Sequence, residues 1–193
     1  MNERPVIVSL DWDWVTGDTS DGPSCCGMCN KMGFRTNRRG HPKSVYENWR
    51  DRFEELILLP VPKKIPVYVA ECHANIGEVF HKYKEPLVVD YDTHYDRYNS
   101  DLVIDCANWV VHLERWKGEY LKCGEWDWAG QRMDAVFICR SSPWTPKEMD
   151  QYFYELVWHL CFHTKTEPHF IGHMRKSMRK TYISLFDDVR AAV

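Results

Sequence analysis

The chain of 193 residues carries 25 Lys and Arg against 28 Asp and Glu, a formal charge of −3, with 44% hydrophobic and 27% charged residues. That length fits a single domain, residues 1–193, while the near-balanced charge excludes general nucleic-acid binding and the composition excludes a mainly disordered chain. Charges and prolines interrupt every apolar run short of the roughly 20 residues of a membrane span, so no membrane partner is expected.

Glu3-Arg4-Pro5 leads directly into Val6-Ile7-Val8-Ser9-Leu10, a β-branched run that reads as a first strand and not as a signal peptide. It stops at Asp11-Trp12-Asp13-Trp14, as a buried strand does on emerging into a functional loop. Residues 15–41 show no helical or strand period and read as a long loop. The stretch 22–46, most of it in this loop, holds Lys31, Arg35, Arg38, Arg39 and Lys43 and no acid, which suits either an acidic peptide or a plain solvated surface. Residues 44–59 place Val45, Trp49, Phe53, Leu56 and Ile57 on a helical stripe, with Ser44 as N-cap and Pro60 and Pro62 as terminators. A second strand, 65–70, runs into Glu71-Cys72-His73, a short helix follows at 75–82, and a third strand, Leu87-Val88-Val89, ends in Asp90-Tyr91-Asp92-Thr93-His94-Tyr95-Asp96. Residues 110–114, 118–123 and 135–139 are further strands, and helices are expected at 146–162, capped by Thr145, and at 171–189. Alternating strands and helices predict an α/β fold, one three-layer domain with a mostly parallel sheet and its ligand crevice beyond the strands' carboxyl ends. Cys72, Cys106, Cys139 and Cys161 fall in apolar elements and read as reduced core residues of a cytoplasmic protein.

Three of these strands end in polar clusters. In Asp92-x-His94-x-Asp96 alternate residues share one side of an extended segment, so two carboxylates and an imidazole can converge. Asp11-x-Asp13 repeats that pattern, and His73 adds a second imidazole. Oxygen donors with imidazole nitrogen suit Mn²⁺ and differ from a Cys-rich structural zinc site. Six ligands exceed what one catalytic ion needs and suit two ions roughly 3.5 Å apart that share bridging carboxylates.

Asp92-Thr93-His94-Tyr95-Asp96 resembles the Asp-Ala-His-x-Asp metal motif of the ureohydrolases, the arginase and agmatinase superfamily. Ser9-Leu10-Asp11-Trp12-Asp13 is similar to that family's Ser-x-Asp-x-Asp motif, and the segment from Glu71 to Gly77 resembles its Gly-Asp-His-Ser segment. The resemblance implies two Mn²⁺, one on His73, Asp92, Asp96 and Asp11, the other on Asp92, His94, Asp11 and Asp13, with Asp11 and Asp92 bridging. Family members place Asp-x-Asp last, whereas here it comes first; the cyclic order is the same, as in an arginase-like fold with permuted strands. The short chain and permuted order most resemble the small peptide arginases, which convert arginine side chains of ribosomally made precursor peptides to ornithine and urea. The implied partner is therefore an arginine-containing precursor peptide.

The same resemblance carries Asn108 and His112 over as substrate-contacting or proton-relaying groups; His112 also reads as a satisfied histidine on an apolar strand. A substrate guanidinium needs a carboxylate that is not a metal ligand, for which Glu71 ranks ahead of Glu125 and Asp127. Trp12, Trp14, Trp126 or Trp128 could supply a cation–π wall. Cys25-Cys26-Gly27-Met28-Cys29 contains one Cys-x-x-Cys without a second pair, which reads as free loop thiols or an incidental disulfide. The rival readings are another binuclear-metal hydrolase, of amides or phosphoesters, and a non-catalytic peptide-binding module stapled by zinc.

Overall fold

The computed structural model describes residues 4–17, 45–97, 103–125, 132–141 and 145–172. Most of the expected basic loop, Cys25, Cys26 and Cys29, Trp126 to Trp128, residues 142–144 and nearly all of the expected 171–189 helix lie outside the described residues.

Six strands, β1 (Val6–Asp11), β2 (Val67–Ala70), β3 (Leu87–Tyr91), β4 (Glu119–Lys122), β5 (Ala135–Cys139) and β6 (Pro168–Phe170), form one sheet in the order β4-β3-β1-β5-β2-β6. Every ladder is parallel. The four inner strands are buried along their whole length, which is why they read as continuous apolar runs and not as alternating ones. The edge strands β4 and β6 are only partly covered. Helices α1 (Trp12–Thr16), α2 (Trp49–Ile57), α3 (Gly77–Phe80), α4 (Trp109–Arg115) and α5 (Asp150–Thr164) lie on both faces. On one face Val8 and Leu10 pack with Trp12, Phe53 and Leu56, and Phe153 and Leu156 of α5. On the other, Ile7 and Phe137 pack with Phe80, Trp109 and Leu113. None of the described helices is long and apolar enough to cross a membrane.

The α/β class and parallel sheet match the expectation; several boundaries do not. Residues 110–114 form part of helix α4, not a strand. Val110 and Val111 supply β-branched character, but Trp109, Val110 and Leu113 share one helical face and bury it, and that burial overrides local propensity. Residues 12–16 turn into helix α1 directly after β1, where a loop was expected. The residue before α2 is Asn48, without a side-chain cap bond. Thr145 does not cap the 146–162 helix either: its hydroxyl donates back to the carbonyls of Arg140 and Ser141, and α5 starts at Asp150 after a 3-10 turn, Lys147–Met149. Gly118 lets β4 approach the sheet, since a Cβ there would meet Leu113 at 2.3 Å and the Pro86 carbonyl at 2.9 Å. Cys72, Cys139 and Cys161 are buried, and Cys106 is half-buried.

Candidate metal centre

From β1 the chain passes to the α2 face, and from β3 to the α4 face, so β1 and β3 flank the point where the winding reverses. Crevices at such points, beyond the carboxyl ends of the strands, are where open α/β sheets bind ligands. Asp11 ends β1, and Asp92 follows the end of β3.

Local turns, not strand alternation, bring the carboxylates together. Asp11 is the N-cap of α1, its Oδ1 accepting the backbone N–H of Asp13 at 3.3 Å, so the first helical turn folds Asp13 back beside it. Asp92 Oδ1 accepts the backbone N–H of His94 at 2.6 Å in the same manner. Asp96 adopts a left-handed backbone, φ 44°, a conformation that Asp tolerates better than most residues, and its Oδ2 accepts the indole N–H of Trp109 at 2.6 Å. His73 opens a 3-10 turn, His73–Ile76, beyond β2. Its ring stacks on Phe137 at 5.8 Å and leans on Trp109 at 4.9 Å, which fixes its plane.

His73 Nδ1 faces three carboxylates, 2.9 Å from Asp11 Oδ2, 3.1 Å from Asp92 Oδ2 and 3.3 Å from Asp96 Oδ2. His94 Nδ1 lies 3.2 Å from Asp13 Oδ2 and 3.3 Å from Asp92 Oδ1. Among the described residues two triads can therefore hold a metal ion, Asp11/His73/Asp92 and Asp13/Asp92/His94, and Asp92 belongs to both. The donor chemistry fits a divalent cation of the manganese kind, carboxylate oxygen with imidazole nitrogen. The buried atoms His73 Nδ1, Asp92 Oδ2 and Asp13 Oδ1 have no hydrogen-bond partner, although other polar atoms surround them closely. Lone pairs that converge without hydrogen-bond geometry, in a place where unsatisfied groups are costly, are what a cation would satisfy. The inner triad is wholly buried, whereas His94 is 45% exposed and opens the outer triad to solvent.

Without a cation the cluster retains protons. Burial alone would lower the pKa of His73, but Asp11, Asp92 and Asp96 together raise it well above its ordinary value. Burial and the Asp11 and Asp92 charges raise Asp13, and burial with the charges of Asp92 and Asp90 pushes Asp96 up to about 8. Asp92 moves the other way: burial would raise it, yet the close approach of both imidazoles and the charges of His73 and Lys122 hold it below the usual carboxylate range.

Behind the triads stands a set of groups that sequence reasoning missed. His73 Nε2 lies 2.8 Å from Ser9 Oγ, and Asp90, fully buried, is 3.6 Å from the same nitrogen. Asp90 Oδ2 accepts the Tyr120 hydroxyl at 3.3 Å and lies 3.6 Å from Lys122 Nζ. Alternation could have found it, because Asp90 and Asp92 share a side of β3, and Ser9 and Asp11 the matching side of β1.

The other expected groups sit elsewhere. Glu71 is buried at the end of β2 and meets Arg140 of this same chain, Oε2 to NH1 3.4 Å, while Arg140 also binds Asp150 at the start of α5. Asn108 spends its amide on the turn before α4, accepting from Asp105 N at 2.7 Å and donating to Val103 O at 3.0 Å. His112 lies on α4 with Arg115, Asp105 and His81 as its charged neighbours; burial, then Arg115, lower its pKa. Trp12 is core, packed on Phe53 and Phe153, and Trp14 stacks with Arg52 at 5.0 Å, so neither offers a free wall. Comparison of the chain with family models, curated proteins and solved structures yields no match.

Proposed function

We propose that this protein is a manganese-dependent hydrolase whose two triads hold a pair of ions and which converts arginine side chains of a ribosomally made precursor peptide to ornithine and urea. The observation that carries the metal half is the sharing of Asp92 between two triads, in which the buried His73 Nδ1, Asp92 Oδ2 and Asp13 Oδ1 lack hydrogen bonds. The substrate half is supported by the resemblance of residues 9–13, 71–77 and 92–96 to ureohydrolase motifs, in an order that matches cyclically. Bound in these triads, divalent ions would supply Lewis acidity and acidify water toward neutral pH.

The chain's own residues define the rest. Asp11 and His73, set between β1, Phe137 and Trp109, would hold the buried ion; Asp13 and His94 would hold the outer one, with Asp92 reaching both. His94 faces solvent, so a side chain carried on a peptide can approach from that side without a closed pocket for free amino and carboxyl groups. The overall reaction adds water across the guanidinium carbon, breaks its bond to the side-chain nitrogen, and leaves the amine of ornithine with urea.

A second reading, hydrolysis of an amide or phosphoester on the same ligands, is favoured by one observation. Glu71, expected to pair a substrate guanidinium, is already engaged by Arg140. Manganese-loaded protein incubated with arginine-bearing peptides separates the two: urea release with ornithine in the peptide supports the arginase reading. Two bound ions with neither product transfers the site to the second.

A further inference from the structure

Lys122 occupies a position that lysines ordinarily avoid. It closes β4 directly opposite Asp90 in the parallel ladder, and its side chain is only 14% exposed. Its ammonium donates to the backbone carbonyl of Asp92 at 2.8 Å and to that of His94, and it lies 3.6 Å from Asp90 Oδ2. The rings of Tyr95 and Tyr120 flank it at 5.2 Å and 5.8 Å. An ammonium has three N–H groups and no acceptor, and burying it costs several kcal/mol unless all are used. Here they point at two carbonyls and one carboxylate, and the two carbonyls bracket Thr93, the link between the shared ligand and His94.

The inner triad needs no such help. Asp11 belongs to β1, and His73 is held by Ser9, Phe137 and Trp109. His94 sits past the end of β3 on an irregular segment, and the tie from β4 joins that segment to the sheet. Lys122 is also a cation set close to Asp90 and Asp92, whose mutual repulsion it offsets.

We propose that Lys122 is a positioning residue and internal counter-cation of the metal centre, which tethers the 92–94 segment so that Asp92 and His94 present their donors to the outer ion. The role rests on the two-ion reading above, and the test separates the two. The full-length chain and its Lys122→Met variant are titrated with Mn²⁺ alone, followed by calorimetry and by electron paramagnetic resonance, which distinguishes an isolated Mn²⁺ from a spin-coupled pair. The wild type is expected to bind two ions and show the coupled signal. Lys122→Met is expected to keep one ion at wild-type affinity, bind the other about 10–100-fold more weakly, and lack the coupled signal.

Lys122→Met leaves Asp90 buried without its cation, which destabilises the fold, so the double variant Lys122→Met with Asp90→Asn removes both charges together. It is expected to fold and still lack the outer ion. Either variant binding both ions at wild-type affinity with the coupled signal overturns the role of Lys122 and leaves the metal centre standing. A wild type that binds fewer than two ions overturns the two-ion reading itself, and Lys122's role with it.

Discussion

His73 Nδ1 lies 2.9 Å from Asp11 Oδ2, although the two residues come from strands that are not neighbours. β5 runs between β1 and β2, and Cys139 at its end is in register with both Asp11 and Ala70. The 3-10 turn after β2 carries the imidazole across that end, and Phe137 of β5 forms the floor it stacks on. The pairing of these two residues is therefore a product of the strand order, and the centre needs β3, β1, β5 and β2 side by side.

The outer triad is predicted to be separable from the inner one. His94 belongs to that triad alone and is 45% exposed, so His94→Ala removes a ligand without opening the core. Manganese content measured by elemental analysis is expected to fall from two ions per chain to one, with metal-free stability changed by less than about 0.5 kcal/mol. Retention of both ions would show that His94 is no ligand.

The metal-free protein is predicted to lose stability as pH rises. His73 is raised well above its ordinary value, Asp90 is pushed up to about 7 and Asp96 to about 8, so the folded chain keeps protons that the unfolded chain has released. A raised group contributes stability that is complete below its unfolded pKa and lost as pH climbs through the folded one. Asp92, lowered in the fold, works in the opposite sense, but its contribution is already complete by about pH 5 and stays constant above it. Thermal melts of the metal-free chain should show Tm falling from about pH 5 to about pH 8, with the gain on adding Mn²⁺ growing over the same interval as ions replace protons. A metal-free Tm that rises across that interval would contradict the proton-holding cluster.

Ser9 sets which ring nitrogen of His73 is available. In the neutral ring that a metal ion requires, Nε2–H would donate to Ser9 Oγ at 2.8 Å and the Nδ1 lone pair would face Asp11 and Asp92. Ser9→Ala should weaken binding of the inner ion by about 10–100-fold, measured by competition with a chelator. Unchanged affinity would mean that Asp90 alone orients the ring.

Glu71 is predicted to matter for stability before substrate. Its carboxylate and the Arg140 guanidinium are both buried, and Arg140 in turn ties β5 to Asp150 of α5. Removing one member of such a pair costs about 3–5 kcal/mol. Glu71→Gln should therefore lower the denaturation midpoint while leaving KM for an arginine peptide unchanged; a raised KM at normal stability would restore the guanidinium-pairing role.

The inner strands were legible because each is buried on both sides and so spells out a mainly apolar run, broken in β1 by Ser9 and Asp11 and in β3 by Asp90. Edge strand β6 was not: Pro168–Phe170 is three residues long, half-exposed, and carries no pattern of its own. Helix α4 was misread because Val110-Val111 resembles a strand over so short a span, and only the burial of Trp109, Val110 and Leu113 on one face reveals the helix. The residues of both triads could be named from their motifs, yet the reason they converge could not, since the Asp11 cap and the turn at Asp92 are features of backbone geometry. The role of Lys122 is not legible because its meeting with Asp90 depends on the pairing of β3 with β4, which no local pattern encodes.

The most direct test is the manganese content of the reconstituted wild type beside that of Asp92→Ala, since Asp92 is the one residue common to both triads. Two ions per chain in the wild type and none in the variant are expected. A variant that still holds two ions, or a wild type that holds none, would contradict the metal centre.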